Sequence, residues 1–247
     1  MMIKLLALIA TLYSSGFCSE EDPNETTETI TYKGKNVTLG PLQKLWPIWR
    51  VTWYTVEPNT TEKLQELLDA GADPTLHRKE SLIILDEYEK FLDSDGFKEL
   101  EADQKTNLLT ALTLWLHALS VYEVKNRAQR FASHGNSKII HQLMKSVRHI
   151  KSIPDLQTYV PNFNPLNTPL GYGSEDAVKK QTPVQLAASN NHYLCLDEML
   201  KATDTSKKPL VATATAKDAE KKAFNRGLFG SCKMRLQKFI SRYPDNK

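Results

Sequence analysis

The histidines, cysteines and acidic residues are the side chains that could carry chemistry, but their spacing matches no known catalytic or metal-binding arrangement. His134, His141 and His149 suit one helical face, yet there is no HExxH pair, and no Cys or carboxylate completes a ligand set. G-x-S-x-G, P-loop, G-x-G-x-x-G and Cys/His protease signatures are also absent from the sequence. We therefore expect no catalytic activity, no metal and no cofactor. A hydrolase with unrecognised catalytic residues is the alternative.

The amino terminus has the three parts of a secretory signal. A basic start (residues 1–4) is followed by an apolar run (residues 5–13) and by the small residues Ser14, Ser15 and Gly16. The apolar run is shorter than the roughly 20 residues that a membrane span requires. We predict a cleaved signal peptide over residues 1–18 and a secreted protein, or a periplasmic one if a bacterium makes and retains it.

The composition indicates a folded protein without a disulfide framework. Hydrophobic residues make up 40% and charged residues 25% of the chain, and the net charge of +3 is too small to indicate nucleic-acid binding. Two cysteines, Cys195 and Cys232, follow the signal, which is too few for a disulfide scaffold. They form either one bridge or two buried thiols. The second reading is favoured because Cys195 falls on a predicted core position.

Helical periodicity dominates the chain after a polar start. Residues 19–40 are rich in Glu, Thr and Asn and predict a flexible acidic leader. Asn24, Asn36 and Asn59 lie in N-x-T sequons, which would accept glycans in a eukaryotic secretory pathway. Apolar spacing and helix stop signals predict helices that end at Gly71 and span 81–92, 101–131, 137–149, 183–202 and 216–241. Prolines and glycines predict a loop without a helix over 152–173, and no strand is expected.

Two segments carry the motif of a known repeat family. Residues 64–74 read LQELLDAGADP, and residues 182–202 read TPVQLAASNNHYLCLDEMLKA. These segments resemble the closing and opening halves of the ankyrin repeat. The residues that carry the motif are Leu67, Leu68, Gly71, Ala72, Asp73, Pro74, Thr182, Pro183, Leu186, Ala187, Ala188, Leu196 and Leu200.

Physical reasons for the motif can be given residue by residue. Thr182 can cap a helix with its hydroxyl, and Pro183 fits the first helical position, where no N–H is needed. Ala187 and Ala188 are small enough to let a neighbouring helix approach closely. Asn191 stands at the turn where the family has Gly, and Asn tolerates a positive φ better than most residues.

The resemblance implies an all-α fold, an ankyrin-like helical solenoid with degenerate repeats and extra helices over residues 41–203. A helical insert over about 75–150 would separate two divergent repeats, or the whole region would be a degenerate array. It also implies a monomeric module that binds a protein partner of unknown identity, similar to host-directed factors of intracellular bacteria or parasites. The projecting turns would make the contact, through Asp73, Thr75, His77, Lys79, Asp176, Lys179, Lys180 and Gln181.

Three other segments each allow two interpretations. The aromatic residues of 45–54 could form an interaction surface, but we favour a packed cap of the helical stack. The uncharged stretch 106–122 approaches the length of a membrane span, but its polar residues favour a buried central helix. The tail 201–247 has twelve Lys and Arg against four acids. We predict a basic C-terminal helical cap over 204–247, with binding to an anionic membrane surface or an acidic partner as the alternative.

Overall fold

The fold is mostly helical in the computed structural model, which describes residues 22, 24–25, 27–50, 54–129, 137–153, 156–160, 164–169, 181–225 and 231–245. The predicted signal peptide (1–18) lies outside these residues. Two strands come first, β1 (Glu28–Tyr32) and β2 (Lys35–Leu39). The helices are α1 (Pro41–Lys44), α2 (Thr60–Asp69), α3 (Arg78–Leu92), α4 (Asp95–Lys98), α5 (Ala102–Gln129), α6 (Ser137–Lys151), α7 (Leu156–Tyr159), α8 (Pro183–Ser189), α9 (Tyr193–Lys201), α10 (Thr213–Asn225) and α11 (Ser231–Arg242), with a 3₁₀ turn at Pro47–Arg50.

The long helices form two layers. In the first layer α2 packs against α5, α5 against α8, and α8 against α10. In the second layer α3 packs against α6, α6 against α9, and α9 against α11. Contacts also join α5 to α6, α8 to α9 and α10 to α11, so that the last three pairs each place one helix in each layer.

Helix α5 is the centre of the molecule. Its stretch without charged residues, predicted to be buried, includes Leu108, Leu112, Trp115 and His117, none of which is exposed to solvent. Burial of this stretch on all sides explains why the helix has no single apolar face. The interpretation as a buried central helix is confirmed. Among the described residues, no helix combines the length and apolar character that crossing a membrane requires.

The prediction of a flexible leader over residues 19–40 is wrong for the second half of that segment, because residues 28–39 form an antiparallel hairpin. Glu28 pairs with Leu39 and Tyr32 with Lys35. The turn residues Lys33 and Gly34 have φ values of 48° and 74°, which a two-residue hairpin turn of this kind requires. Val37 and Leu39 are buried, and β2 packs against α1 and α3. The expectation of a chain without strands is therefore corrected.

The second motif segment forms the helix pair predicted from its sequence. The Thr182 hydroxyl accepts a hydrogen bond from the Gln185 N–H, and the Gln185 side chain accepts one from the Thr182 N–H. Ala187 and Ala188 are fully buried where α8 meets α10 and α5. Asn191 has a φ of 57° and turns the chain into α9. The proposed cap, small-residue contact and turn are confirmed.

The first motif segment does not pair with a preceding helix. Gly71 has the expected positive φ (96°) after α2, and Leu68 and Ala72 are buried. However, residues 54–57 before α2 have no regular secondary structure. Helix α2, expected to be the closing helix of a repeat, lies in the same layer as α8, an opening helix. Helix α5 contacts both, so the two motif segments are separated by one helix of that layer.

The aromatic segment before α2 is mainly core. Trp46 and Trp49 are buried, and the Trp46 ring lies 5.2 Å from the Tyr88 ring and 5.6 Å from the Trp115 ring. This agrees with the packed-cap interpretation; Trp53 lies outside the described residues. The Pro-rich segment differs from the prediction, since α7 interrupts it with one helical turn.

Candidate functional site

The first turn predicted to contact a partner is tied into the fold. The Asp73 carboxylate accepts hydrogen bonds from the backbone N–H and hydroxyl of Thr75, at 2.7 and 2.6 Å, and one from the Asn126 side chain at 2.8 Å. Thr75 is buried, and its oxygen also accepts from Asn126. The side chains of Asp73 and Thr75 thus hold the turn against α5, and the partner contact expected of these residues stays a prediction.

The remaining residues of the predicted contact surface differ in their exposure to solvent. His77 is half-buried at the start of α3, whereas Lys79 is exposed. Gln181 is half-buried directly before α8. Asp176, Lys179 and Lys180 lie outside the described residues, so the second predicted turn stays a prediction.

A cleft lies between α9 and α11 in the second layer. Its volume is about 570 Å³. The lining residues come from α9, from the turn after it and from α11: Asp197, Leu200, Lys201, Thr203, Arg235, Lys238, Phe239, Arg242 and Tyr243. The cleft thus has cationic side chains at its walls and the apolar side chains of Leu200 and Phe239 at its floor.

The two helices are fixed beside each other by buried apolar residues and one ion pair. Leu196 and Met199 of α9 and Leu236 of α11 are buried. Arg235 Nε lies 2.6 Å from Asp197 Oδ1, and both side chains are only partly exposed. Lys201 Nζ also lies 3.7 Å from Asp197 Oδ2, so this carboxylate pairs with two of the four cations of the cleft.

Two cations of the cleft stand apart from this ion pair. Lys238 and Arg242 are exposed, and no carboxylate of the described residues lies within ion-pair distance of either. Their i, i+4 spacing places them on the same face of α11. The Arg242 guanidinium lies 5.3 Å from the Tyr243 ring, and the Tyr243 ring lies 5.2 Å from that of Phe239. The result is a cationic rim beside an aromatic wall.

A second, smaller cleft adjoins the first between α6 and α9. It measures about 240 Å³ and shares Lys201 with the larger cleft. Its other charged residues include Lys145, Arg148 and Glu198. Arg148 Nε donates to the Thr203 carbonyl at 2.6 Å, which ties α6 to the turn that borders the larger cleft. Together the two clefts run across three helices of the second layer.

The combined lining is strongly cationic. Six Lys and Arg residues face two carboxylates, those of Asp197 and Glu198, and His141 adds an imidazole 3.3 Å from Glu198. A concave surface with one dominant charge concentrates oppositely charged ligands. The arrangement can therefore attract an acidic ligand and offer it an apolar contact.

Another cleft, of about 410 Å³, lies near the start of α2 and is also lined by cations. There Lys63 lies 3.0 Å from Glu57, and Lys44 lies 3.7 Å from Glu28. Among the described residues, two of the three cations of this cleft are thus paired, which leaves only Arg50, whereas Lys238 and Arg242 both stay unpaired between α9 and α11. The cleft near α2 is therefore the weaker candidate for an anionic ligand.

Three strongly shifted pKa values arise from burial. Desolvation raises the pKa of the Tyr88 hydroxyl well above its usual value. Desolvation lowers the pKa of His117 to about 4, although its Nε2–H donates to the Thr168 carbonyl at 2.9 Å. Desolvation also raises the pKa of the Cys232 thiol to about 11. At neutral pH the imidazole is thus neutral and the thiol protonated. Cys195 and Cys232 are two buried thiols that form no disulfide, as the second reading of the cysteines predicted.

Metal ligation finds no support in the described part of the chain. No group of three or more His, Cys, Asp or Glu side chains there is arranged to hold an ion. His141 and His149 instead lie near single carboxylates, those of Glu198 and Asp93, at 3.3 Å each. His134 lies outside the described residues.

Sequence reasoning identified the basic tail but not the cleft residues within it. Lys238 with Arg242, and Phe239 with Tyr243, repeat at i, i+4 and thus form two adjacent stripes on α11. That spacing could have predicted a cationic stripe beside an aromatic one. The contribution of Lys145 and Arg148 from α6 could not be predicted, because it depends on α6 packing against α9.

Comparison with protein-family models, with curated proteins and with solved structures found no match. The resemblance to ankyrin repeats stays a prediction from the two motif segments.

Proposed function

We propose that this protein is an exported, non-enzymatic helical repeat module that binds another protein through the cleft between α9 and α11. The observation that carries the proposal is the cleft itself: about 570 Å³, concave, cationic at its rim and apolar at its floor. Interfaces depend on a few anchors of this kind, and aromatic and Arg side chains dominate their energetics.

The layered packing supports a solenoid of helix pairs. The pairs α5–α6, α8–α9 and α10–α11 follow one another, and each successive pair packs layer on layer against the one before. Helices α2 and α3 continue the two layers at the amino-terminal end. Stacked helix pairs expose extended surfaces that recur along the array, and such surfaces usually bind proteins. We propose that the ankyrin-like motif of residues 182–202 is one unit of this array.

A protein ligand suits the surface better than the two alternatives. A peripheral membrane protein would present a continuous apolar face, whereas the large apolar side chains exposed in the described residues are scattered: Leu76 before α3, Tyr193 on α9 and Met234 on α11. A hydrolase would place shifted titratable groups together in a polar cleft. Here the strong shifts of His117 and Cys232 come from burial in an apolar core.

Affinity capture with charge-reversed variants tests the proposal. The chain without residues 1–18 is immobilised and exposed to proteins of its destination compartment, as wild type and as the Lys238→Glu/Arg242→Glu variant. Captured proteins are identified by mass spectrometry, and the strongest is purified and titrated directly. We expect at least one protein to bind the wild type and to be lost from the variant.

A matched control is available on α10. Lys217 and Lys221 are also exposed and also spaced i, i+4, so Lys217→Glu/Lys221→Glu makes the same change of charge away from the cleft. This control should retain the captured protein. Loss of capture from both variants alike would indicate attraction by net charge alone, and the cleft would be excluded.

A further inference from the structure

We propose that the cleft between α9 and α11 takes an extended acidic peptide with carboxylates at alternating positions and one aromatic side chain beside them. This inference rests on the proposed function, because it names the class of partner segment that the same cleft recognises. It follows from the spacing of the cations, from the aromatic wall and from the adjoining cleft.

The spacing of Lys238 and Arg242 sets the spacing of the carboxylates. Side chains at i and i+4 on a helix are separated by about 6 Å. In an extended peptide, residues i and i+2 lie on one face and about 6.6 Å apart, since each residue advances the chain by about 3.3 Å. An acid-x-acid segment therefore places one carboxylate opposite each cation. The two cations remain available because Asp197 is engaged by Arg235 at 2.6 Å.

The aromatic wall favours a peptide that carries an aromatic side chain. Phe239 is almost fully buried, whereas Tyr243 is half-buried and forms the accessible edge of the wall. Aromatic rings attract one another beyond the effect of their buried area, so an aromatic residue of the peptide is favoured at this position. Arg242 covers one side of Tyr243, with its guanidinium 5.3 Å from the ring. An aromatic residue next to a carboxylate would thus contact Tyr243 while the carboxylate meets Arg242.

The adjoining cleft sets a minimum length. Lys201 lines both clefts, and Lys145 and Arg148 continue the cationic surface on α6. Carboxylates lie near two of these cations, Asp197 at 3.7 Å from Lys201 and Glu89 at 3.8 Å from Lys145, so this part of the path attracts an acidic chain less strongly than Lys238 and Arg242 do. Packed helices are about 8–10 Å apart, so the path from α11 across α9 to α6 is roughly 20 Å. An extended chain covers that distance with about six residues. A longer acidic segment should therefore bind more tightly than a short one.

Synthetic peptides test this inference on the full chain. The probe is a fluorescein-labelled ten-residue peptide with Glu at alternating positions and one Phe, titrated by fluorescence anisotropy. Comparison peptides replace Phe by Ala, or replace every Glu by Gln. We expect Lys238→Glu/Arg242→Glu to weaken binding at least about tenfold, since like charges then face each other. The matched variant Lys217→Glu/Lys221→Glu should change binding by less than about twofold, because neither residue lines the two clefts.

The aromatic contact has its own test. Tyr243→Ala should weaken the Phe-containing peptide several-fold and leave the Ala-containing peptide unchanged, because only the former uses the aromatic wall. Equal loss for both peptides would show that Tyr243 does not contact the peptide's aromatic residue. Circular dichroism of each variant establishes that it has folded.

The outcomes separate this inference from the proposed function. If the captured partner depends on Lys238 and Arg242 but no acidic peptide competes with it, the partner class is wrong and the protein-binding function stands. If vesicles with anionic lipid bind in a way that the cleft reversal abolishes while the peptides do not bind, the ligand is a membrane surface and the inference fails. Peptide binding that the cleft reversal leaves unchanged overturns it as well.

Discussion

Arg78 and Glu123 form a partly buried ion pair that joins the two helical layers. Arg78 Nε donates to Glu123 Oε1 at 2.5 Å, and Nη2 donates to Oε2 at 3.2 Å. Arg78 begins α3 in the second layer, and Glu123 lies on α5 in the first, with a side chain only 1% exposed. Two parallel hydrogen bonds of this kind fix distance and orientation together.

Loss of one partner from this ion pair should be strongly destabilising. Glu123→Ala leaves the guanidinium of Arg78, whose side chain is 32% exposed, without its carboxylate. Loss of charge-assisted hydrogen bonds of this kind costs about 1.5–3 kcal/mol. Urea unfolding measures the difference. Glu62→Ala, at an exposed position on α2, is the control and should change the free energy of unfolding by less than about 0.5 kcal/mol. Similar small effects for both variants would show that the two layers do not depend on the ion pair.

The buried imidazole of His117 should make the protein sensitive to mild acid. Its pKa is about 4 in the folded state and about 6.5 in an unfolded chain. The unfolded state therefore binds more protons between these values, and stability present above pH 6.5 is lost as the pH falls towards 4. The loss is on the order of 3 kcal/mol.

Unfolding measured at several pH values tests this contribution. His117→Asn removes the titrating group and should flatten the dependence of stability on pH between about 4 and 6.5. His141→Gln, at a side chain that is 76% exposed, should leave the dependence as in the wild type. An unchanged pH profile in His117→Asn would contradict the burial of this histidine.

The cap of α8 should contribute more stability than the corresponding position of α2. Thr182→Ala removes a side-chain bond to the Gln185 N–H and should cost about 1 kcal/mol. Asn59 precedes α2 without a side-chain cap bond, so Asn59→Ala should cost less than about 0.5 kcal/mol. Thermal unfolding of the two variants measures the contrast. A larger loss of stability in Asn59→Ala than in Thr182→Ala would mean that Asn59, and not Thr182, caps its helix.

The hairpin that replaces the predicted leader should be part of the cooperative fold. Leu39 is 3% exposed, and Leu39→Ala should destabilise by about 2–5 kcal/mol through the cavity it leaves. Thr29→Ala, on the exposed part of β1, should change stability by less than about 0.5 kcal/mol. Chemical denaturation provides the comparison. A negligible change of stability in both variants would indicate that residues 28–39 do not belong to the cooperative fold.

Most helices could be predicted because their apolar residues repeat with helical spacing. Leu64 and Leu68 face the core in α2, as their spacing indicates, and the capping box of Thr182 and Gln185 begins α8 where the motif places it. These signals are local, and the structure preserves them because local preference and packing agree.

The hairpin could not be predicted in the same way. Its strands are five residues each, and their Thr, Asn and Lys residues hide the alternation of buried positions, of which only Val37 and Leu39 are clear. The turn is Lys33-Gly34 rather than the Asn-Gly pair that most strongly predicts a hairpin. Its stability depends on α1 and α3, which β2 contacts and which lie later in the sequence.

The cleft depends on tertiary packing in the same way. The sequence predicts a basic tail, but it cannot show that Asp197 neutralises Arg235 and leaves Lys238 and Arg242 exposed. Conversely, the resemblance places Asp73 in a projecting turn, but the sequence cannot show that its carboxylate accepts hydrogen bonds from Thr75 and from Asn126, which is 53 positions away. These hydrogen bonds hold the turn against α5.

A photo-cross-linking side chain at position 238 tests the proposed binding cleft most directly. It replaces Lys238 in one variant and Lys217 in another, and both are activated in the presence of the captured partner. We predict a cross-link to the partner from position 238 that excess acidic peptide suppresses, and none from position 217. Equal cross-linking from both positions, or cross-linking from position 217 alone, would contradict binding in the cleft between α9 and α11.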